Sequence, residues 1–311
     1  MRTINRHWVA TWFLSSLPLM VTAVQAADIP AATDPGPNQK EEPLAQQFAL
    51  NRSIQFLDDA SLTWQKQRNC FTCHTNYAYL YARALSDPSA AAPAHRAIRQ
   101  AAEELVTTRW EKQGPRWDAE VVATAAALAF NDANTTRSLH PVTKTALDRM
   151  WTLQRADGGW TWLKCDWPPM ESDDDYGVAV AAVAVGAAPG GYAQTTPARK
   201  GVEGIRRYLK ANPPPTLHHK AMLLWAQSLG VEDLLSQEQT TNTMDSLFQL
   251  QKHDGGWALA TLGNWKREDG SAQDLESSDG YATGFVLYVL RRCGVAADDP
   301  RIQRGVDWLT H

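Results

Sequence analysis

The strongest constraint on this chain is that it repeats itself. Leu153-Gln154-Arg155-Ala156-Asp157-Gly158-Gly159-Trp160 returns as Leu250-Gln251-Lys252-His253-Asp254-Gly255-Gly256-Trp257, with the two tryptophans 97 positions apart. Trp64 lies 96 positions before Trp160 and follows a degenerate version, Phe56-Leu57-Asp58-Asp59-Ala60. Each turn leads to a second matching element. Glu171-Ser172-Asp173-Asp174-Asp175-Tyr176 recurs as Glu276-Ser277-Ser278-Asp279-Gly280-Tyr281, and both run into an apolar stretch. Aligned on the tyrosine, the first copy offers Thr72-Cys73-His74-Thr75-Asn76-Tyr77. Ordered matches at near-constant spacing mark a repeat architecture, in which each unit buries its apolar face against its neighbours.

The stretches between these elements read as helices of two kinds. Those near 44–58, 94–108, 141–154, 197–210, 238–251 and 300–311 are amphipathic, which predicts one wet face. Those near 77–85, 119–130, 176–186, 217–229 and 281–292 are more evenly apolar, which predicts burial on all sides. Strand-like alternation is nearly absent. The expected fold is therefore all-α, with outer and inner helices alternating and curving into a solenoid or closing into an α/α toroid over residues 44–311. Six outer helices face only five inner ones. The last copy opens at Arg304-Gly305, so the inner face of the final outer helix, including Val306 and Leu309, is expected to be uncovered. The toroid would then be incomplete at its C-terminal side, lacking about 30–40 residues, one repeat unit. A longer gene product or a partner would supply them.

These residues resemble the repeats of the squalene–hopene cyclase and prenyltransferase superfamily, the terpenoid-cyclase toroids. The family repeat carries a glutamine, then a glycine, one residue and a tryptophan, matched here by Gln154, Gly158 and Trp160 and by Gln251, Gly255 and Trp257. The resemblance spans most of 45–311 and implies the toroid fold. In the cyclases an Asp-x-Asp-Asp-Thr-Ala motif opens an inner helix, and one aspartic acid protonates a polyene. Its nearest match is Glu171 to Tyr176, which departs at the first position and at the closing Thr-Ala pair. The resemblance thus implies catalytic roles for Asp173 and Asp174, with Asp279 at the equivalent place in the next copy. Read from the residues alone, the same aspartates can simply cap helix starts. Crowded carboxylates can also hold one member protonated as an acid. Tyr77, Tyr176, Trp225, Tyr281 and Tyr288 are candidates to line a cavity, or to be plain core.

Cys70-Phe71-Thr72-Cys73-His74 matches the pattern for covalent c-type haem attachment. Two nearby thiols form thioethers, and the adjacent histidine ligates the iron. Cys70, Cys73 and His74 are therefore the candidate cofactor residues, with His74 the metal ligand and haem c the cofactor. A Cys70–Cys73 disulfide or a pair of buried thiols is the plainer alternative. Repeat alignment puts His74 where Asp173 and Ser278 fall, so the motif is expected at the same mouth as the carboxylates. His218, His219 or Met170 are candidates for a sixth ligand, although a His pair at a helix start is commonly a solvated cap. Zinc on His74, Asp173 and His218 lacks a recognisable ligand spacing.

Arg2 and Arg6, the apolar run from Trp8 to Val24 and the small residues ending at Ala26 read as a signal peptide over 1–26. Residues 27–43, rich in Pro, Ala, Asp and Gln, read as a disordered leader. The expected location is periplasmic or secreted, the compartment where c-type haem is attached. A net charge of −4 with interspersed signs argues against nucleic acid as partner, and membrane association is not required. The leading functional expectation is a haem-bearing toroid binding an apolar or redox-active small molecule, with a redox partner. Two alternatives stand beside it: a terpenoid-cyclase-like isomerase using Asp173 and Asp174, and a non-catalytic toroid that binds a partner protein.

Overall fold

The computed structural model describes residues 32–36, 47–68, 71, 73–165, 167–267 and 269–311, with Cys73 and His74 described by their backbone. The expected signal peptide, most of the expected leader, and Cys70 lie outside the described residues. Within them the chain is helical and contains no strand, only an isolated bridge between Trp167 and Glu171. The helices are α1 (Leu50–Arg68), α2 (Ala78–Ser86), α3 (Pro93–Glu104), α4 (Trp110–Gln113), α5 (Asp118–Asn134) and α6 (Pro141–Thr152). They continue with α7 (Asp174–Ala187), α8 (Thr196–Ala211), α9 (Leu217–Ser228), α10 (Gln237–Gln249), α11 (Gly280–Arg292) and α12 (Pro300–Thr310). Wide five-residue turns at Cys73–Tyr77 and Leu105–Arg109 run directly into α2 and α4. No helix among the described residues is long and apolar enough to cross a membrane.

The two helix kinds sort as their patterns require. α5 is buried without a break from Ala119 to Asp132, and α7 from Gly177 to Val185. α2, α5, α7, α9 and α11 pack in that order, each against the next. α1 and α3 cover α2, α6 covers α5, α8 lies on α6 and α7, α10 on α9, and α12 on α11. Proline opens α3, α6 and α12, where its missing N–H costs nothing. α1 differs from expectation, since the helix runs on to Arg68 instead of ending near residue 58. The first copy lacks the glycines that break the helix in the others. Asp58 serves a tertiary role instead, accepting hydrogen bonds from Arg83 (2.8 Å) and Tyr79 (2.6 Å) on α2. Trp64 therefore lies on a helix, not after a turn.

The repeated turn explains its own sequence. Gln154 Nε2 donates to the carbonyls of Gly158 and Gly201, both at 2.9 Å, tying the turn to α8. Gln251 Nε2 does the same for Gly255 (2.9 Å) and Arg301 (2.7 Å), tying its turn to α12. Gly158 sits at φ +99°, and a β-carbon there would lie 1.9 Å from the Gly204 carbonyl oxygen. Gly255, at φ +98°, would meet the Arg304 carbonyl oxygen at 2.5 Å. Only glycine allows both that dihedral and that approach. Trp160 and Trp257 are then driven fully inside, each 0% exposed. Their indole N–H groups donate to the carbonyls of Met150 (2.9 Å) and Leu247 (2.7 Å) on the preceding helices.

A cleft of about 940 Å³ opens between the two ends of the array. Gln47 to Ser53 line one side, and Asp307 to His311 the other. Val306 and Leu309 are exposed on α12, as are Phe48 and Leu50 near the start of α1.

Candidate functional site

The starts of the inner helices gather at one end. Asp173, Thr216 and Asp279 are the N-caps of α7, α9 and α11, accepting from the amides of Tyr176, His219 and Ala282. Side chains then link one start to the next. His219 Nε2 lies 2.9 Å from Asp173 Oδ1, and His218 Nε2 lies 2.9 Å from the Tyr281 hydroxyl. Asp118, the first residue of α5, accepts the amide of Thr161 at 3.1 Å, in the loop that leads toward α7. Tyr77, where the wide turn meets α2, reaches Thr124 Oγ1 on α5 at 2.7 Å. The backbone of Cys73 and His74 begins that same turn, so these two residues lie at the end where the aspartates lie.

The three expected carboxylates have separate tasks. Burial raises the Asp173 carboxyl, but the hydrogen bond and charge of His219, the Tyr176 amide and Ser172 outweigh it and hold the group below its usual range. Burial likewise raises Asp174, and Arg155 (2.7 Å), the Trp162 amide and Lys164 outweigh it. Asp279 Oδ2 accepts the Leu259 amide at 2.5 Å while Oδ1 caps α11. The carboxyl pushed upward is Asp175, first by burial and then by the charge of Asp173. It is not among the residues lining the cavity between the inner helices.

Between the inner helices lies a cavity of about 560 Å³, within the range of small-molecule sites. All five inner helices contribute to it: Tyr81 from α2, Phe130 from α5, Tyr176 from α7, Trp225 from α9, and Tyr281 and Tyr288 from α11. Deep in the wall, Tyr81, Phe130, Trp225 and Tyr288 pack edge to face, with centroids 5.3 to 5.7 Å apart. Of the five aromatics singled out from sequence, Tyr77 is instead buried between α2 and α5.

The histidine pair is buried, not a solvated cap. His218 is 0% exposed and stacks near-parallel with Tyr176, Tyr281 and Phe285, at centroid distances of 6.1, 6.0 and 4.7 Å. Trp265 and His219 meet it edge-on. Burial, with the neighbouring His219, pushes its pKa down to about 3, so the ring is neutral. His219 is fixed by Thr216 Oγ1 at Nδ1 (2.7 Å) and by Asp173 at Nε2. The ionised Asp173 carboxylate can only accept, so the Nε2–H of His219 is aimed at it. Both imidazoles are thus engaged by protein groups, which leaves Met170, at the cavity edge, as the one sixth-ligand candidate that lines the cavity. Among the described residues no group of three or more His, Cys, Asp or Glu stands ready for a metal ion. Of the zinc combination His74, Asp173 and His218, the His74 side chain lies outside the described residues, and His218 Nε2 is engaged by Tyr281.

The surroundings of the Cys-x-x-Cys-His motif fit a flat apolar group. His74 lies four residues before Ala78, and Ala78 and Ala82 line the cavity from α2. Gly280 and Gly284 line it from α11, where an added β-carbon would meet nothing within 4 Å. Small side chains on both walls leave open space next to the start of α2. Phe71, inside the motif, is buried against Tyr77 at 4.7 Å, which anchors the segment to the core. Compared with known proteins, the chain matches no family model and no curated relative, so a reading of this site rests on its own geometry.

Proposed function

We propose that the helices form an α/α toroid of terpenoid-cyclase type, exported to the periplasm or beyond, whose central cavity binds an apolar or redox-active small molecule. One observation carries this reading: a cavity walled by aromatic and aliphatic side chains from all five inner helices. The same reading adds a covalent haem c at the mouth of the cavity, which Cys70 and Cys73 would hold as thioether residues and His74 as the iron ligand. Such a haem supplies one-electron transfer. The chain's own part is to exclude water with the apolar wall and to hold the motif on the buried Phe71.

The isomerase alternative has less support. A polyene acid must carry a proton at neutral pH, and Asp173 and Asp174 are both held ionised. Partner binding would fall to the cleft between α1 and α12, with its exposed Phe48 and Leu309.

Two measurements test the proposal. Full-length chain, exported in cells with c-type haem maturation machinery, is expected to show Soret, α and β bands that survive denaturation, and to lose them in Cys70→Ala/Cys73→Ala. A colourless product removes the haem. Gly284→Phe, which fills open space from a helix, is expected to weaken binding of an apolar probe at least about tenfold, a loss of roughly 1.4 kcal/mol. Its melting temperature should be unchanged or higher, since glycine is a poor helix residue. Unchanged probe affinity would remove the cavity as the binding site.

A further inference from the structure

This inference rests on the cavity as the binding site, and it concerns what the cavity selects. The wall is overwhelmingly apolar, and polar side-chain groups enter it chiefly through tyrosines. Tyr281 differs from the others in that its hydroxyl is hydrogen-bonded to the buried His218 imidazole. The residue is 37% exposed, yet its hydroxyl is packed against His218, and burial raises that hydroxyl's pKa well above its ordinary value.

His218 decides where the Tyr281 hydrogen goes. A neutral imidazole carries one N–H and one bare nitrogen. Nδ1 of His218 is buried and has no hydrogen-bond partner. If the proton were on Nδ1, a buried N–H would be orphaned, the rarer and costlier fault in folded proteins. With the proton on Nε2, the unpaired atom is only a bare acceptor, and Nε2–H donates to the Tyr281 oxygen at 2.9 Å. Tyr281 then keeps its own hydrogen, and His218 gives that hydrogen no acceptor. Tyr176 and Phe285, stacked on the same imidazole, also line the cavity and confine this polar spot to one place in the wall.

We propose that Tyr281 is the polar anchor of the cavity, donating a hydrogen bond to an acceptor oxygen on an otherwise apolar ligand such as a quinone or a long-chain ketone. His218 is a positioning residue: it occupies the tyrosine's acceptor side and turns its hydrogen toward the ligand. The site therefore prefers an oxygen-bearing ligand over the hydrocarbon of the same shape.

The test uses the full chain and two probes, decyl-benzoquinone and decylbenzene, with affinities from equilibrium dialysis. Wild type is expected to bind both and to favour the quinone. Tyr281→Phe removes one oxygen atom and is expected to weaken quinone binding about tenfold, the effect of one hydrogen bond. Decylbenzene affinity should stay within about twofold. Tyr288→Phe, at the other end of α11's cavity face, should leave the preference intact, and thermal melts of both variants check the fold. If Tyr281→Phe weakens both probes alike, or neither, the anchor is overturned while the cavity stands. If the preference follows Tyr288→Phe, the polar end has been placed wrongly. If wild type binds neither probe, the cavity reading falls and the anchor falls with it.

Discussion

Trp257→Ala and Trp160→Ala are each expected to destabilise the fold by roughly 3–5 kcal/mol, the usual cost of truncating a fully buried large aromatic. Both indoles are 0% exposed, and each also loses an N–H bond to the helix before it. The loss spreads because the turn is shared. Trp160 meets Trp151 at 5.9 Å, and Trp151 donates to the Tyr192 hydroxyl, which in turn bonds Asp148. Trp257 packs beneath Gly305 of α12. For a domain of this size the melting temperature should fall by roughly 5–9 °C. Trp64→Ala should cost clearly less, because Trp64 lies half-buried along α1, with Arg68 over its ring. Thermal or urea melts of the three variants decide the matter. Equal losses at Trp64 and Trp257 would mean that the first copy uses the same device as the others.

The repeat was legible because its turn needs particular groups in a particular order. A long amide at Gln154 reaches two carbonyls, a glycine sits at positive φ against another backbone, and an indole fills the pocket beneath. No other residues do all three, so the sequence could hardly drift without losing the pattern. The length of α1 was illegible for the converse reason. Asp58 looks like turn chemistry locally, but Arg83 and Tyr79 claim it from α2, and no rule of spacing brings them together. The inner helix starts were readable as caps, and Asp173 and Asp279 do cap. Which carboxyl would be held ionised was not readable, since Arg155, Lys164 and His219 arrive from distant positions. Lys164 and His219 are themselves ordinary surface-type residues by sequence. Likewise Thr216-Leu217-His218-His219 announced a helix start, but not that His218 would be sealed among five other rings.

That burial gives the second large effect, a loss of stability in mild acid. A neutral histidine with pKa pushed to about 3 in the fold regains its ordinary value near 6.5 when unfolded. Between those two values the unfolded chain binds the extra proton, so stability rises with pH across the window. The contribution is complete above about pH 6.5 and drains away as pH falls toward 3. By pH 4.5 it amounts to roughly 2–3 kcal/mol, at about 1.4 kcal/mol per pH unit. The groups facing His218 do not cancel this. The neighbouring His219 further disfavours a charge on His218, Asp173 offsets part of that through its own charge, and Tyr176, Tyr281, Trp265 and Phe285 are neutral. Buried His95, beside Asp87 and Asn131, also has a lowered pKa and drains in the same direction. Asp173 and Glu120 have lowered pKa values, so their share starts to be lost as pH falls into the ordinary carboxylate range and is gone only below their lowered folded values. Urea midpoints at pH 7 and pH 4.5 therefore span most of the histidine window, and comparing wild type with a His218 variant isolates His218. Wild type should lose several kcal/mol between the two, and His218→Phe, whose ring can keep the stack on Phe285, should lose roughly 2–3 kcal/mol less. Parallel losses in wild type and His218→Phe would mean that the imidazole finds a proton-accepting partner inside the fold, and that it is not held neutral by burial.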